Sequence, residues 1–299
     1  MLDFRMDTFI AVCRNLNFTK AAEELNITQP AVSQHIRYLE EYYHCKLFLY
    51  QGKKMRLSEE GELLLSTITT MKHDDIYLRE KIAQKQEAKQ RLIFGATLTA
   101  GEFLLPNHLS SFMKKHPTTE VKMVVGNTNE LLVKINQGEI DFALIEGYFP
   151  KREFDYLPYC EERYVALSAC QHPFKKAIHT MEDLLDENII IREKGSGTRE
   201  IFEKFISEKN LRIEDFHQVN EIGNIQMIKS LVENDCGITF LYEIAAKEEI
   251  KKKRLVEIPM EDFHITHRIH FIWRKNSVFS SYYQNIYQEL TSVIKDDTH

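Results

Sequence analysis

The sequence predicts an α/β chain in three parts: a small helical head carrying a basic hairpin, one long helix, and a larger body in which strands alternate with helices. Three observations carry this. Apolar residues recur at helical spacing in three short runs before residue 43. A single amphipathic pattern then extends over some thirty residues from Ser58. Beyond Arg91, short runs rich in Val, Ile and Phe alternate with amphipathic stretches, as in a parallel sheet covered by helices.

In the head, Met6, Phe9, Ile10 and Cys13 give the first helix an apolar stripe. The stretch from Phe18 to Glu40 follows. Thr19 is placed to cap a second helix through Ala21, Ala22 and Leu25, and Asn26 is its stop. Small Ala22 lets another helix cross closely. Thr28 caps the third helix, and Pro30 falls in its first turn, where a missing N–H costs little. That helix has two faces. Val32, Ile36 and Leu39 are spaced to bury, whereas Gln29, Ser33, Gln34 and Arg37 point outward. The outward set is rich in donors and free of carboxylates, which is the chemistry that reads base edges in a major groove. For any one of these residues a solvated helix face explains the pattern equally well.

Charge supports the same reading locally. The chain carries −6 formally, yet between Thr28 and Ser58 five basic residues face two acids, leaving +3. A basic face on an acidic protein suits a salt-dependent DNA contact.

In the long segment, Leu64, Ile68, Met71, Asp75, Leu78 and Ile82 follow alternating spacings of four and three, and five of these six are apolar. A helix this long beside a small head has little but a partner to pack on, which points to dimerisation. A symmetric dimer would bind a palindromic site.

The residues from Phe18 to Glu40 resemble the helix-turn-helix of LysR-type transcriptional regulators, with an Ala-Ala pair, a Thr-Gln-Pro-Ala opening to the third helix, and Ser-x-x-Ile-x-x-Leu-Glu after it. Leu47 to Gly61 is similar to the family's wing, with Tyr50 and Lys53 where that family usually has arginines. Lys53 keeps the charge without the bidentate fork, and Lys54 and Arg56 offer compensation. The resemblance assigns DNA contacts to Thr28, Gln29, Pro30, Ser33, Gln34, Arg37 and Lys53, with Thr19 and Lys20 on phosphates.

GATLTAGEFLLP, GEIDFALIEG and GSGTR resemble the effector domain of the same family. The resemblance implies two α/β subdomains joined by two crossover strands, similar to periplasmic solute-binding proteins. The expected division is a winged helix-turn-helix at 1–58, a linker and dimerisation helix at 59–88, and an effector domain at 91–299. Within the last, subdomain one takes 91–160 and 267–299, and subdomain two takes 164–263, with crossovers near Tyr159 to Tyr164 and Phe263 to His267.

Open α/β units bind ligands beyond the carboxyl ends of their strands, where helix N-termini aim N–H groups outward. Thr97, Leu98 and Thr99, then Asn127 and Thr128, then Ser196, Gly197, Thr198 and Arg199 occupy such strand-to-helix turns. Helix capping accounts for each turn taken singly. Jointly they favour a small anion, a carboxylate or an oxyanion such as sulfate or sulfite, with Arg199 adding charge. GSGTR and LIEG further resemble the branch that regulates sulfur assimilation and carbon fixation, which implies a metabolic effector.

Other chemistries fit less well. His264, His267 and His270 alternate sides if HRIHFIW is a strand, and the two on one side would stand about 20 Å apart, too far for one metal. Cys160 and Cys170, nine residues separating them, are the candidates for a thiol redox-sensing regulator of this family. The chain lacks a nucleophile elbow, P-loop, GxGxxG or HExxH, so catalysis is not expected and no cofactor is implied. A small-molecule binding protein without a DNA role would account for the last two hundred residues, not the head. Five scattered cysteines, no apolar run of membrane length and no basic n-region at the start point to a cytoplasmic protein. Expected partners are double-stranded DNA, an anionic effector, further copies in a homodimer or homotetramer, and RNA polymerase.

Overall fold

The computed structural model describes residues 3–52, 54–87 and 90–292, with no side chains given for 84–87. Its head contains α1 (Phe4–Asn15), α2 (Phe18–Leu25) and α3 (Gln29–Tyr43), followed by the hairpin strands β1 (Phe48–Gln51) and β2 (Lys54–Leu57). These close over one small core in which Phe9, Val12, Ala22, Val32, Ile36, Leu39, Leu47 and Phe48 are buried. Asn26 adopts the left-handed conformation that ends α2, Thr28 Oγ1 accepts from the Ala31 amide, and Pro30 lies in the first turn of α3. The start of α2 differs from expectation. Asn17 is the cap, its Oδ1 accepting from the amides of Thr19 and Lys20, so Thr19 lies inside the helix with its side chain exposed.

The long helix α4 (Glu59–Glu87) leads from the head to the body. Only its first two seam residues bury where a coiled seam would, because Leu64 and Ile68 belong to the head core. Met71, Leu78 and Ile82 remain 50, 46 and 52% exposed. The idea that this helix packs on nothing except a partner needs correction, since a second face of α4 docks on the body of its own chain. Gly138, at φ +73°, ends the neighbouring helix there, and a Cβ on it would come within 2.7 Å of Ile76 Cδ1. Glycine is favoured here by the positive φ, and Ile76 would have to shift to admit a larger residue.

The body starts with β3 (Gln90–Ala96), a wide π-helical turn at Ala100–Leu104, and α5 (Leu105–Lys115). The expected Thr-Ala-Gly turn is in fact part of this helical start, which already begins at Leu98. Next come β4 (Thr119–Val125), α6 (Thr128–Gln137), β5 (Phe142–Ile145) and the long β6 (Phe154–Ala169). A second run follows: β7 (Asn188–Ile191), α7 (Gly197–Glu208), β8 (Gln218–Glu221), α8 (Ile225–Glu233), β9 (Ile238–Tyr242), α9 (Glu243–Lys251) and β10 (Leu255–Glu257). β11 (Ile265–Arg274) and α10 (Ser280–Thr291) close the body.

Among the described residues the body strands form one sheet in the order β4-β3-β5-β11-β6-β9-β7-β8, with β10 also on β6. Two parallel clusters flank a central antiparallel pair. β3 runs parallel with β4 and β5, and β7 parallel with β8 and β9. β6 and β11 pair from Tyr164↔Ile265 to Phe154↔Arg274, so both strands serve both halves. Each half has its own core: Phe94, Phe142, Phe271, Trp273 and Tyr283 in one, Ile189, Phe202, Phe240 and Tyr242 in the other.

The continuity of β6 corrects the redox reading. Cys160 lies within the strand and Cys170 follows its last residue, so ten steps of about 3.3 Å keep them roughly 30 Å apart. A disulfide needs Cα atoms within about 7 Å. Burial, in addition, pushes the Cys160 thiol up to about 12, which leaves it unreactive.

Candidate functional site

The exposed face of α3 gathers the residues assigned to DNA. Gln29, Pro30, Gln34 and Arg37 are exposed and Ser33 is half-buried. Gln29 Nε2 donates to Ser33 Oγ at 2.9 Å, and Arg37 Nε pairs with Glu41 at 3.0 Å in the open. Pairs of this kind are weak and yield readily to a base or phosphate partner. Thr28, Thr19 and Lys20 lie exposed at the starts of α3 and α2, where helix N-termini favour anions. On the hairpin, Lys54, Arg56 and Tyr50 are exposed, and Gly52 turns it at φ +63°. Lys53 lies outside the described residues. A structural contact beneath α3 fixes its presentation: Thr8 Oγ1 and His35 Nδ1 are 2.9 Å apart.

The second site is the seam between the two halves of the body, and it centres on a residue the motifs did not single out. Glu146 immediately follows β5 and is fully buried. Its carboxylate accepts three hydroxyls: Thr97 at 3.0 Å on Oε2, and Thr99 at 3.0 Å and Thr198 at 2.8 Å on Oε1. The first two come from the β3 side and the third from the N-terminal turn of α7, so one carboxylate joins both halves. Thr128 Oγ1 donates to the Glu146 carbonyl. Gly197 packs so closely on that carbonyl that a Cβ would lie 2.1 Å from its oxygen. No larger residue leaves the halves this close.

Burial pushes the Glu146 carboxyl up, and the Thr198 hydroxyl, the nearby Arg192 guanidinium and the two other threonines pull it back. Arg192 is itself 3% exposed. Its Nε and Nη2 bind Glu193 at 2.8 and 2.9 Å, while Nη1 has no partner among the described residues. Ser196 Oγ is likewise buried without a partner. Tyr164 braces the floor, its hydroxyl donating to the carbonyls of Thr198 and Phe240 at 2.9 and 3.0 Å.

The remaining expected residues take supporting places. Leu98 crosses to pack on the core formed by Val165, Leu167 and Leu241. Asn127 caps α6 in a reciprocal box with Glu130. Arg199 does not aim its charge at this seam as expected. Its guanidinium is spent on Glu203 at 2.7 Å, Glu221 at 2.5 Å and the Arg192 carbonyl at 3.1 Å. Arg192 is the cation beside Glu146 instead. A signal for Glu146 existed, because an acid closing the fully apolar strand FALI, directly before a glycine, has no solvent to face.

Comparison with known proteins agrees with this architecture. Residues 5–62 match the bacterial regulatory helix-turn-helix protein, lysR family, and residues 85–294 match the LysR substrate binding domain. The transcriptional regulator CysL of Bacillus subtilis is 30% identical over 274 residues, covering 89% of each chain. The transcriptional activator CmpR of Synechocystis is 29% identical over 277 residues, 92% of this chain and 90% of that one. Among solved structures, the regulatory domain of Synechocystis CcmR in complex with 2-PG superposes at TM-score 0.61 with 25% identity, covering 69% of this chain and 98% of that domain. A full-length likeness, hydrogen-peroxide-bound OxyR of Corynebacterium glutamicum, gives 0.60 at 21% identity over 98% of this chain and 92% of that one.

Proposed function

The chain belongs to the LysR family of transcriptional regulators, and on that footing we propose that its effector is a small anion bound at the seam between the two halves of the body. The protein is a sequence-specific DNA-binding regulator with an effector-binding domain. The observation that carries the finer reading is the donor set around Glu146. Thr97, Thr99 and Thr198 converge on one carboxylate, and the buried Arg192 Nη1 and Ser196 Oγ remain unpartnered among the described residues. Hydroxyls from two subdomains beside a guanidinium suit a carboxylate or oxyanion. CcmR in complex with 2-PG offers a parallel from a relative.

The DNA contacts in this reading are Gln29, Ser33, Gln34 and Arg37 on bases, with Thr19, Lys20, Thr28, Pro30 and Lys53 along the backbone. Residues 1–58, 59–88 and 91–299 serve as DNA-binding, linking and sensing units. The exposed stripe of Met71, Leu78 and Ile82 supports pairing of α4 with a second copy, and two such dimers make the tetramer. We read the role as binding in the cytoplasm without catalysis, with RNA polymerase as the downstream partner; no helix of the described residues is long and apolar enough to cross a membrane.

A thermal-shift screen of the full chain against formate, sulfate, sulfite, phosphate and common metabolic acids tests the effector class. A binder of the folded state raises Tm with concentration, by about 2.7 kcal/mol of stabilisation at a hundredfold excess over Kd. The expected result is a saturable rise that Thr198→Ala removes. A flat response to every anion, from protein that still binds DNA, contradicts the anion assignment.

A further inference from the structure

We infer that Glu146 is a tethered ligand: its carboxylate fills the anion seat of the sensing domain, and an external anion binds by displacing it. The inference rests on the anion reading above and names what regulates that seat.

The geometry is that of a bound ligand rather than of a structural ion pair. Glu146 makes no salt bridge among the described residues, and its carboxylate is held by hydroxyls from both subdomains. A buried carboxylate is ordinarily paired with a cation, because hydroxyl donors alone compensate its lost hydration poorly. Here the cation that acts on it, Arg192, is committed to Glu193 and makes no hydrogen bond to Glu146. Its free Nη1, with Ser196 Oγ, leaves donor capacity that the tethered carboxylate does not use. A free oxyanion with more acceptor atoms can take those donors as well as the three threonines. Displacement then exchanges an imperfectly satisfied carboxylate for a better satisfied anion.

The side chain also does what a ligand does in a two-lobed binding fold. Thr97, Thr99 and Glu146 belong to one half and Thr198 to the other, so the Glu146–Thr198 bond closes the seam from within. Closure is thus supplied by the chain's own side chain, and an effector must outcompete a group present at high effective concentration. That competition sets the response threshold and disfavours ligands too small to satisfy the extra donors.

Removing the tether should turn the seat into an open site for a free carboxylate. The test uses the full chain with Glu146→Ala, titrated with sodium formate and, at matched ionic strength, sodium chloride and formamide, followed by thermal shift and by calorimetry. The expected result is a variant with lowered Tm that formate raises saturably, with Kd at least tenfold lower than for the wild type, while formamide and chloride do nothing. Adding Thr198→Ala should abolish the rescue. If the alanine variant does not stay soluble, Glu146→Ser is titrated in the same way. A flat formate response in whichever variant folds, or a response equal to that of the wild type, overturns the proposal. The two readings separate cleanly. Rescue of the variant alongside a wild type that binds no external anion upholds Glu146 as the occupant of the seat, but overturns its displacement by an external anion and the anionic effector with it.

Discussion

Thr198 and Glu146 are joined by a hydrogen bond of 2.8 Å that crosses from one half of the sensing body to the other. Thr198 opens α7 and Glu146 closes β5, so the bond ties a helix N-terminus of one subdomain to a strand end of the other. Both groups are buried. Losing the hydroxyl leaves a buried carboxylate one donor short, which costs about 1–3 kcal/mol.

Thr198→Val, which keeps shape and removes the donor, should lower stability by that amount and abolish the anion response. Chemical denaturation measures the first effect and the anion thermal-shift series the second. Unchanged stability would mean the hydroxyl is dispensable to closure.

Arg37→Ala should weaken operator binding by about 1–3 kcal/mol, roughly five- to 150-fold, as loss of a base contact does. Its pairing with Glu41 is solvent-exposed and contributes little to the fold, so Tm should hardly move. Fluorescence anisotropy with labelled duplex, run beside a melting curve, checks both. A loss that tracks unfolding would argue against a recognition role.

The linker helix is held to the sensing body by Arg274, which is completely buried. Its guanidinium reaches Asn136 at 2.8 Å, the Ser66 carbonyl at 3.1 Å and Thr70 Oγ1 at 3.2 Å, with Glu153 at 3.4 Å. Asp74 on the same helix accepts from Ser277 Oγ at 2.6 Å and the Val278 amide at 2.9 Å, and Tyr77 packs on Phe279. Arg274→Met should cost on the order of 2–4 kcal/mol, because several buried acceptors lose their donor together. Hydrogen exchange should locate the loosening at Ser66 to Tyr77. Protection unchanged there would show that α4 is held by its apolar contacts alone.

Beside this joint lies Asp141, whose carboxyl burial pushes up to about 7 against the pull of nearby His73. In the unfolded chain the same group titrates near 3.9. Between those values the native state holds the extra proton, so stability falls as pH rises from about 4 to about 7, and the full penalty stands above 7. Asp141→Asn should therefore stabilise the protein at pH 8, by at most about 4 kcal/mol, and leave it unchanged near pH 4. Denaturation midpoints across that range test this. A gain independent of pH would assign the effect to packing.

What the sequence made legible was local. The caps of α3 and the stop of α2 depend on residues within one turn, and Thr28, Pro30 and Asn26 announce them. The cap of α2 was misplaced because Asn17 and Thr19 are both cap-forming types, and only the side-chain reach of Asn17 decides between them. Thr97, Thr99 and Thr198 were readable as turn hydroxyls. That they meet was not, because Glu146 lies nearly fifty residues after the first pair and about fifty before the third. Arg199 and Arg192 are only seven residues apart, and which one faces the seam depends on Glu203 and Glu221 claiming Arg199. The docking of α4 was hidden for a similar reason. Met71, Leu78 and Ile82 share an exposed face, whereas His73 finds the Ile140 carbonyl just before β5, and Asp74 and Tyr77 find Ser277 and Phe279 between β11 and α10, only once the body has folded.

The measurement that tests the account most directly is operator affinity of the Glu146→Ala chain, on a duplex selected from random DNA by the wild type. Position 146 lies in the sensing body, so in protein kept well below its lowered Tm a change in that affinity reports coupling between the closed seam and the DNA-binding heads. With the coupling of about 1–3 kcal/mol usual for linked sites, at least a fivefold change is predicted, reversed by formate. Identical affinity for wild type and variant, with and without formate, would contradict a regulatory role for the seam at Glu146.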